Sequence, residues 1–201
     1  MNKKIHLIAN TKSGKGKGAT FPEQAAELCR EYGYELVHHD TSQHDQFEKQ
    51  IEKAVSEAVK DQGIVVAAGG DGTIRAVAEK VQGNDVRFGA VGCGTFNFFA
   101  RTHQLPEDPQ ECFRSILTGE VKEVRLGEVN GRIFLVNASL GLYAKAIRDR
   151  EKRTSRYGRN RLVVIISTLF SLLQGHRLLE VTLKADTTQK KIFTPMIFIG
   201  N

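Results

Sequence analysis

The chain has 201 residues, 40% of them hydrophobic, enough for a packed core, and a formal net charge of +6. That charge is modest and mostly spread along the length, so no nucleic-acid partner is expected, while anionic ligands or surfaces stay open. Three cysteines, Cys29, Cys93 and Cys112, lack framework or metal spacing, which excludes a disulfide-built fold and fits a reducing compartment.

The start, MNKKIHLIAN, carries only a short apolar run and no small-residue cleavage site, and no segment reaches the ~18 apolar residues of a membrane span. A cytoplasmic location is expected. Ile5 to Ala9 is a short strand that runs into the glycine- and lysine-rich NTKSGKGKG, and Phe21 to Tyr32 then has helical spacing with Pro22 near its start. Tyr34 to His38 reads as a second strand, and Phe47 to Val59 repeats apolar residues as an amphipathic helix does. Ile64 to Ala68 is apolar without alternation, the pattern of a parallel strand covered on both faces. A helix over Thr73 to about Val81 and a strand over Phe88 to Val91 follow, which makes the whole a doubly wound α/β domain with a mostly parallel sheet.

After Pro106 and Pro109 a short helix runs to about Leu117, and the character of the chain changes. Val121 to Val129 and Arg132 to Ala138 read as strands joined by Asn130-Gly131, a strong hairpin signal. Leu178 to Ala185 and Lys191 to Ile199 read as a second antiparallel pair. The expected organisation is a nucleotide-binding α/β domain over 1–122 and the start of a β-rich domain over 123–201. The chain stops at MIFIGN, in or just after a strand, and reads as a fragment.

The most informative stretch is AAGGDGTIRAV, Ala67 to Val77, where one carboxylate, Asp71, sits among three glycines before a helix. Glycines let backbone N–H groups approach a ligand closely, and a helix N-terminus adds the positive end of its dipole. Phosphate suits such a loop, and a carboxylate among phosphates needs a divalent cation between them. A tight turn with Asp71 as an N-cap is the other reading of this stretch. Two further loops, NTKSGKGKG and GCGTFNFFAR, also follow strands of the sheet, where open α/β folds bind ligands. The first fits neither a P-loop nor a dinucleotide fingerprint, and by itself is equally a basic flexible loop.

Together these residues resemble the diacylglycerol kinase catalytic-domain family, which includes bacterial lipid kinases and sphingosine kinases. IANTKSGKGKG looks like the family's opening N-P-x-S-G element, GGDGT is its central motif, and GTFNFFAR resembles its G-T-x-N-D-F-A-R. EVNGRIFLVNASLGLYAKAI is similar to the family's entry into the second domain. The resemblance implies a two-domain kinase that uses ATP and Mg²⁺ to phosphorylate a lipid hydroxyl, diacylglycerol-like in class. Carried over by position, it implies nucleotide contacts from Asn10, Thr11, Lys12, Ser13 and Gly14, from Thr41, from Gly69, Gly70, Asp71, Gly72 and Thr73, and from Thr95. Asp71 is the implied metal contact, through water.

The departures bear on chemistry. Thr11 stands where the family usually has Pro, Phe98 where G-T-x-N-D-F-A-R has its Asp, and Arg125 where many members have an Asp opening the second domain. Those acids belong with the GGDGT Asp in a Mg²⁺–water network, and a phenyl ring cannot bind a cation as a carboxylate does. Either Arg125 supplies the ion's charge, or phosphoryl transfer is impaired. The family's proton acceptor lies in a later segment, beyond Asn201, so this chain alone is expected to be inactive.

Lys145 to Arg161 holds eight basic residues against two acids, and the apolar run Leu162 to Leu173 follows at once. Such a pair suits peripheral contact with an anionic membrane surface over Lys145 to Leu173, or a solvated loop before a core helix. His38, His39, Asp40 and His44 form a poor metal site, because neighbouring strand histidines point to opposite faces. Cys93 has no base partner and reads as packing, and Phe96, Phe98 and Phe99 are expected to close an interdomain core. Two other functions compete: a catalytically impaired nucleotide- or lipid-binding homologue, and an NAD-kinase-like enzyme with a soluble substrate. The Asn-Glu dipeptide expected of the latter is absent. The sequence is compatible with a homodimer and names no other protein partner.

Overall fold

The computed structural model describes residues 3–10, 17–141, 178–185 and 187–201. They form two compact units, Met1–Val136 and Asn137–Asn201.

In the first unit, strands β1 (Lys3–Ala9), β2 (Tyr34–Asp40), β3 (Ile64–Gly69) and β4 (Arg87–Gly92) make one parallel sheet in the order β2-β1-β3-β4. Alternation along the strands sorts their side chains between two faces. On one face, Ile5, Leu7 and Ala9 of β1 and Ile64, Val66 and Ala68 of β3 bury against α1 (Lys17–Glu31) and α5 (Pro109–Thr118). Phe21 and Phe113 meet there edge to face, with centroids 5.8 Å apart. On the other, Ile8 of β1 and Val65 and Ala67 of β3 bury against α2 (Phe47–Asp61) and α3 (Asp71–Val81). Every residue of β3 is buried, as its unbroken apolar run requires. Helices on both faces of a parallel sheet confirm the doubly wound reading.

Several details differ from expectation, among them the strand expected over Arg132 to Ala138, which ends at Phe134 with a separate strand starting at Asn137. A short helix, α4 (Phe98–Thr102), stands where only a loop was read. Of Val121 to Val129, only β5 (Gly127–Val129) is a strand. Residues 120–126 pair with no strand among the described residues and leave Val121 and Val124 exposed, so β propensity alone does not order them. β5 pairs with β6 (Arg132–Phe134) through Asn130 and Gly131 at φ 52° and 73°, the left-handed values of a two-residue hairpin turn. Ile133 and Leu135 bury in the α2/α3 core. The sharpest change in contacts therefore follows the hairpin, whereas the change in sequence character precedes it.

In the second unit, β8 (Leu179–Ala185) pairs antiparallel with β9 (Thr188–Thr194), and β10 (Met196–Gly200) pairs with β7 (Asn137–Gly141). The single strand expected over Lys191 to Ile199 is thus two. Pro195 between them has no N–H for a ladder, and the chain changes partner there.

Candidate active site

The carboxyl ends of the four parallel strands bring the candidate residues to one edge. Asn10 follows β1, Thr41 follows β2, the GGDGT loop follows β3, and the Gly92–Asn97 loop follows β4. The sheet order reverses direction at β1, the position where open α/β sheets leave a crevice. Backbone bonds carry the register past the strand ends: the Thr41 amide donates to the Ala9 carbonyl at 3.0 Å and the Cys93 amide to the Gly69 carbonyl at 2.9 Å.

The glycines differ in what holds them. A Cβ on Gly69 would meet Thr73 of the same loop at 2.8 Å, and one on Gly94 would meet the Gly70 Cα at 2.6 Å, so the first glycine is required within its own turn and the second by close packing of the two loops. A Cβ on Gly72 would meet nothing within 4 Å among the described residues, and its φ is not in the left-handed region. Neither backbone conformation nor packing accounts for Gly72, in the first turn of α3. A glycine there leaves the helix N-terminus uncrowded, where an anion can approach the first-turn amides.

Asp71 is not the N-cap of α3. That position is Gly70, extended at φ −81° and ψ 174°, and Asp71 is the first helical residue. Its Oδ1 accepts from the Phe99 amide at 3.0 Å, so the carboxylate ties the start of α3 to the start of α4. Asn97 braces the same loop from a left-handed backbone, φ 50°. Its Oδ1 accepts from the Gly94 amide at 2.8 Å, and its Nδ2 donates to the Gly92 carbonyl at 3.2 Å. The sequence reading took only Thr95 from this loop. An Asn three residues after a glycine and just before a helix was the available signal for its bracing role.

Thr95 is exposed on that loop, Thr73 is half-buried, and Thr41 is buried with its Oγ1 lacking a partner among the described residues. A buried hydroxyl without a partner costs stability unless something outside the chain satisfies it. Thr11, Lys12, Ser13 and Gly14 lie outside the described residues, as does the Lys145 to Leu173 segment. A cavity of about 460 Å³ runs along β4 and α5, from Tyr34 and Arg87 to Val124, and none of the nucleotide candidates lines it.

Phe99 is buried in the first unit's core and lies against His103 at 4.5 Å. Phe96 and Phe98 are exposed and stack on each other in near-parallel planes, centroids 5.4 Å apart. The three rings therefore do not share one buried core. Burial raises the Cys29, Cys93 and Cys112 thiols to about 11, so all three are unionised near neutrality and read as packing groups.

The family model for the diacylglycerol kinase catalytic domain matches residues 4–129. The chain belongs to the diacylglycerol kinase catalytic-domain family. A diacylglycerol kinase of Staphylococcus haemolyticus is 32% identical over 144 residues, 70% of this chain and 42% of that protein. One of Staphylococcus epidermidis is 29% identical over 143 residues, 70% of this chain and 44% of that protein. A crystal structure of a diacylglycerol kinase from Bacillus anthracis superposes with a TM-score of 0.70 at 20% identity, covering 100% of this chain and 64% of that one. This last likeness concerns the fold. The chain spans under half the length of the curated relatives it matches. Within the family match, no helix among the described residues is long and apolar enough to cross a membrane.

The residues present fit a nucleotide better than a protein-held metal. Among the described residues Gly72 leaves space at the α3 amides, and Thr41 offers a hydroxyl without a partner. Asp71 already spends one oxygen on the Phe99 amide, and Phe98 stands in the family's second acid position. A lone carboxylate oxygen suits Mg²⁺ held chiefly by phosphates and water, not a cage of side chains.

Proposed function

We propose that this chain is the nucleotide-binding part of an ATP-dependent lipid kinase that transfers the γ-phosphate to a lipid hydroxyl, diacylglycerol-like in class. The observation that carries the reading is the GGDGT loop: a glycine that no atom of the described residues requires, Gly72, at a helix N-terminus beside the single carboxylate of Asp71. Asn10 to Gly14, Thr41, Gly69 to Thr73 and Thr95 bind and orient the nucleotide. When bound, ATP supplies the phosphoryl group, and Mg²⁺ neutralises its charge. Asp71 orients that ion through water while its other oxygen holds α4 in place. Phosphoryl transfer rests mainly on such positioning and charge neutralisation. The lipid reaches the enzyme from an anionic membrane surface, which the basic and apolar segment Lys145 to Leu173 engages peripherally.

A second reading, an impaired homologue that binds nucleotide or lipid without turnover, is favoured by Phe98 and Arg125 standing where the family has acids. Transfer of label from γ-³²P-ATP to lipids in mixed vesicles, by the full-length protein, separates the two. Labelled phospholipid supports the kinase. Binding of ATP with no labelled product across diacylglycerol, sphingoid base and phosphatidylglycerol supports the impaired homologue.

A further inference from the structure

On the α2 side of the sheet, His6 of β1, His39 of β2 and Glu57 of α2 converge, brought together by strand pairing and helix packing. His6 and His39 are 1% and 2% exposed, while the Glu57 side chain reaches solvent. His6 Nδ1 lies 3.1 Å from His39 Nε2, and Glu57 Oε2 lies 3.7 Å from each. A separation of 3.7 Å is beyond hydrogen bonding, so the carboxylate faces both ring nitrogens across a gap.

That gap has the size of a metal ion. A triangle with sides of 3.1, 3.7 and 3.7 Å has its centre about 2.0 Å from each corner, which matches Zn–N and Zn–O bonds of about 2.0–2.2 Å. The donor set, two imidazoles and a carboxylate, is that of a borderline cation of the zinc type. The far side of His6 is built for the purpose as well. Its Nε2–H donates to Asp61 at 3.1 Å, the carboxylate support that orients ligating histidines. In the metal-free chain His39 Nε2–H donates to His6 Nδ1. Binding moves that proton to His39 Nδ1 and turns both lone pairs to the ion. Lys53 and Lys4 flank the carboxylates from outside, at 3.9 Å from Glu57 and 3.6 Å from Asp61, and hold no place in the triangle.

We propose that His6, His39 and Glu57 form a site for one Zn²⁺-class cation, supported by Asp61, that clamps β1, β2 and α2 together apart from the nucleotide loops. The sequence sets His38, His39, Asp40 and His44 aside as a metal site, and of these only His39 takes part, with His38 exposed on the opposite face as strand alternation requires.

The test is titration of the chelator-stripped chain with Zn²⁺ by calorimetry, with bound metal counted after dialysis and Co²⁺ used as an optical reporter. One ion per chain is expected, with a higher melting temperature and the strong d–d absorption of four-coordinate cobalt without thiolate charge transfer. Glu57→Gln should weaken binding at least tenfold, Asp61→Asn about tenfold, and His39→Gln should abolish it. Glu57 reaches solvent, so its variant keeps the test valid should His39→Gln not fold. Asp71→Asn should leave Zn²⁺ affinity unchanged. No retained metal, affinity indifferent to Glu57→Gln, or a thiolate band in the cobalt spectrum would overturn the proposal.

Discussion

Gly72 is where stability and ligand binding separate most cleanly. An added Cβ meets no atom of the described residues within 4 Å and the backbone needs no left-handed conformation. Replacing a helical glycine by alanine in that setting removes unfolded-state entropy and stabilises by about 0.5–1 kcal/mol. For a chain of this size that is a rise of about 1–4 °C in melting temperature. The same methyl group would occupy the ground a phosphate needs against the α3 amides, so ATP affinity should fall at least tenfold, about 1.4 kcal/mol. Gly94→Ala is the control. Its Cβ would lie 2.6 Å from the Gly70 Cα, so one loop must shift, at a cost of about 1–3 kcal/mol. Thermal unfolding and ATP calorimetry on both variants read the two quantities. A Gly72→Ala protein that is folded, no less stable and binds ATP like wild type would refute the reasoning.

Three further outcomes are expected. Thr41→Val removes a buried hydroxyl with no partner among the described residues, so melting temperature should hold or rise while ATP affinity falls; a clear loss of stability would show that the hydroxyl is satisfied within the chain. His39 is lowered from its ordinary 6.5 to about 4, mainly by burial and next by His6, with Glu57 opposing. The unfolded chain therefore binds a proton below about pH 6.5 that the folded one refuses until about 4. In chelator, stability should be full above that window and decline through it, by up to about 3 kcal/mol, and His39→Gln should flatten the profile measured by urea unfolding. Asp108 caps α5, accepting from the Gln110 and Glu111 amides at 3.0 Å, with Pro109 at the first helical position. Asp108→Ala should cost about 1 kcal/mol in the same assay, with ATP affinity unchanged.

The parallel sheet was legible because its evidence is local. Ile5 to Ala9 and Ile64 to Ala68 are short apolar runs, and Phe47 to Val59 has one apolar face, so each declares its element without reference to the rest. The Asn-Gly turn was legible for the same reason. Helix α4 was not: five residues carry little periodicity, and its start is held by Asp71 from 28 positions away. The His6–His39 pair joins residues 33 positions apart, and only parallel pairing of β1 with β2 makes them neighbours. The break at Pro195 was readable in principle, since a proline inside a strand run signals an edge or an interruption. At the candidate site, glycine spacing located the loop, while the division of labour among Gly69, Gly72 and Gly94 depends on what each would touch in three dimensions.

The most direct test of the central claim is ATP calorimetry, with and without Mg²⁺, on the full-length protein and its Asp71→Asn variant. Asparagine keeps an oxygen for the Phe99 amide and removes the charge, so the fold should survive. Binding of one ATP by the wild type, strengthened by Mg²⁺, with the Mg²⁺ gain lost in Asp71→Asn, is the expected result. A folded wild type that binds no ATP, or a variant that keeps the full Mg²⁺ gain, would contradict the account.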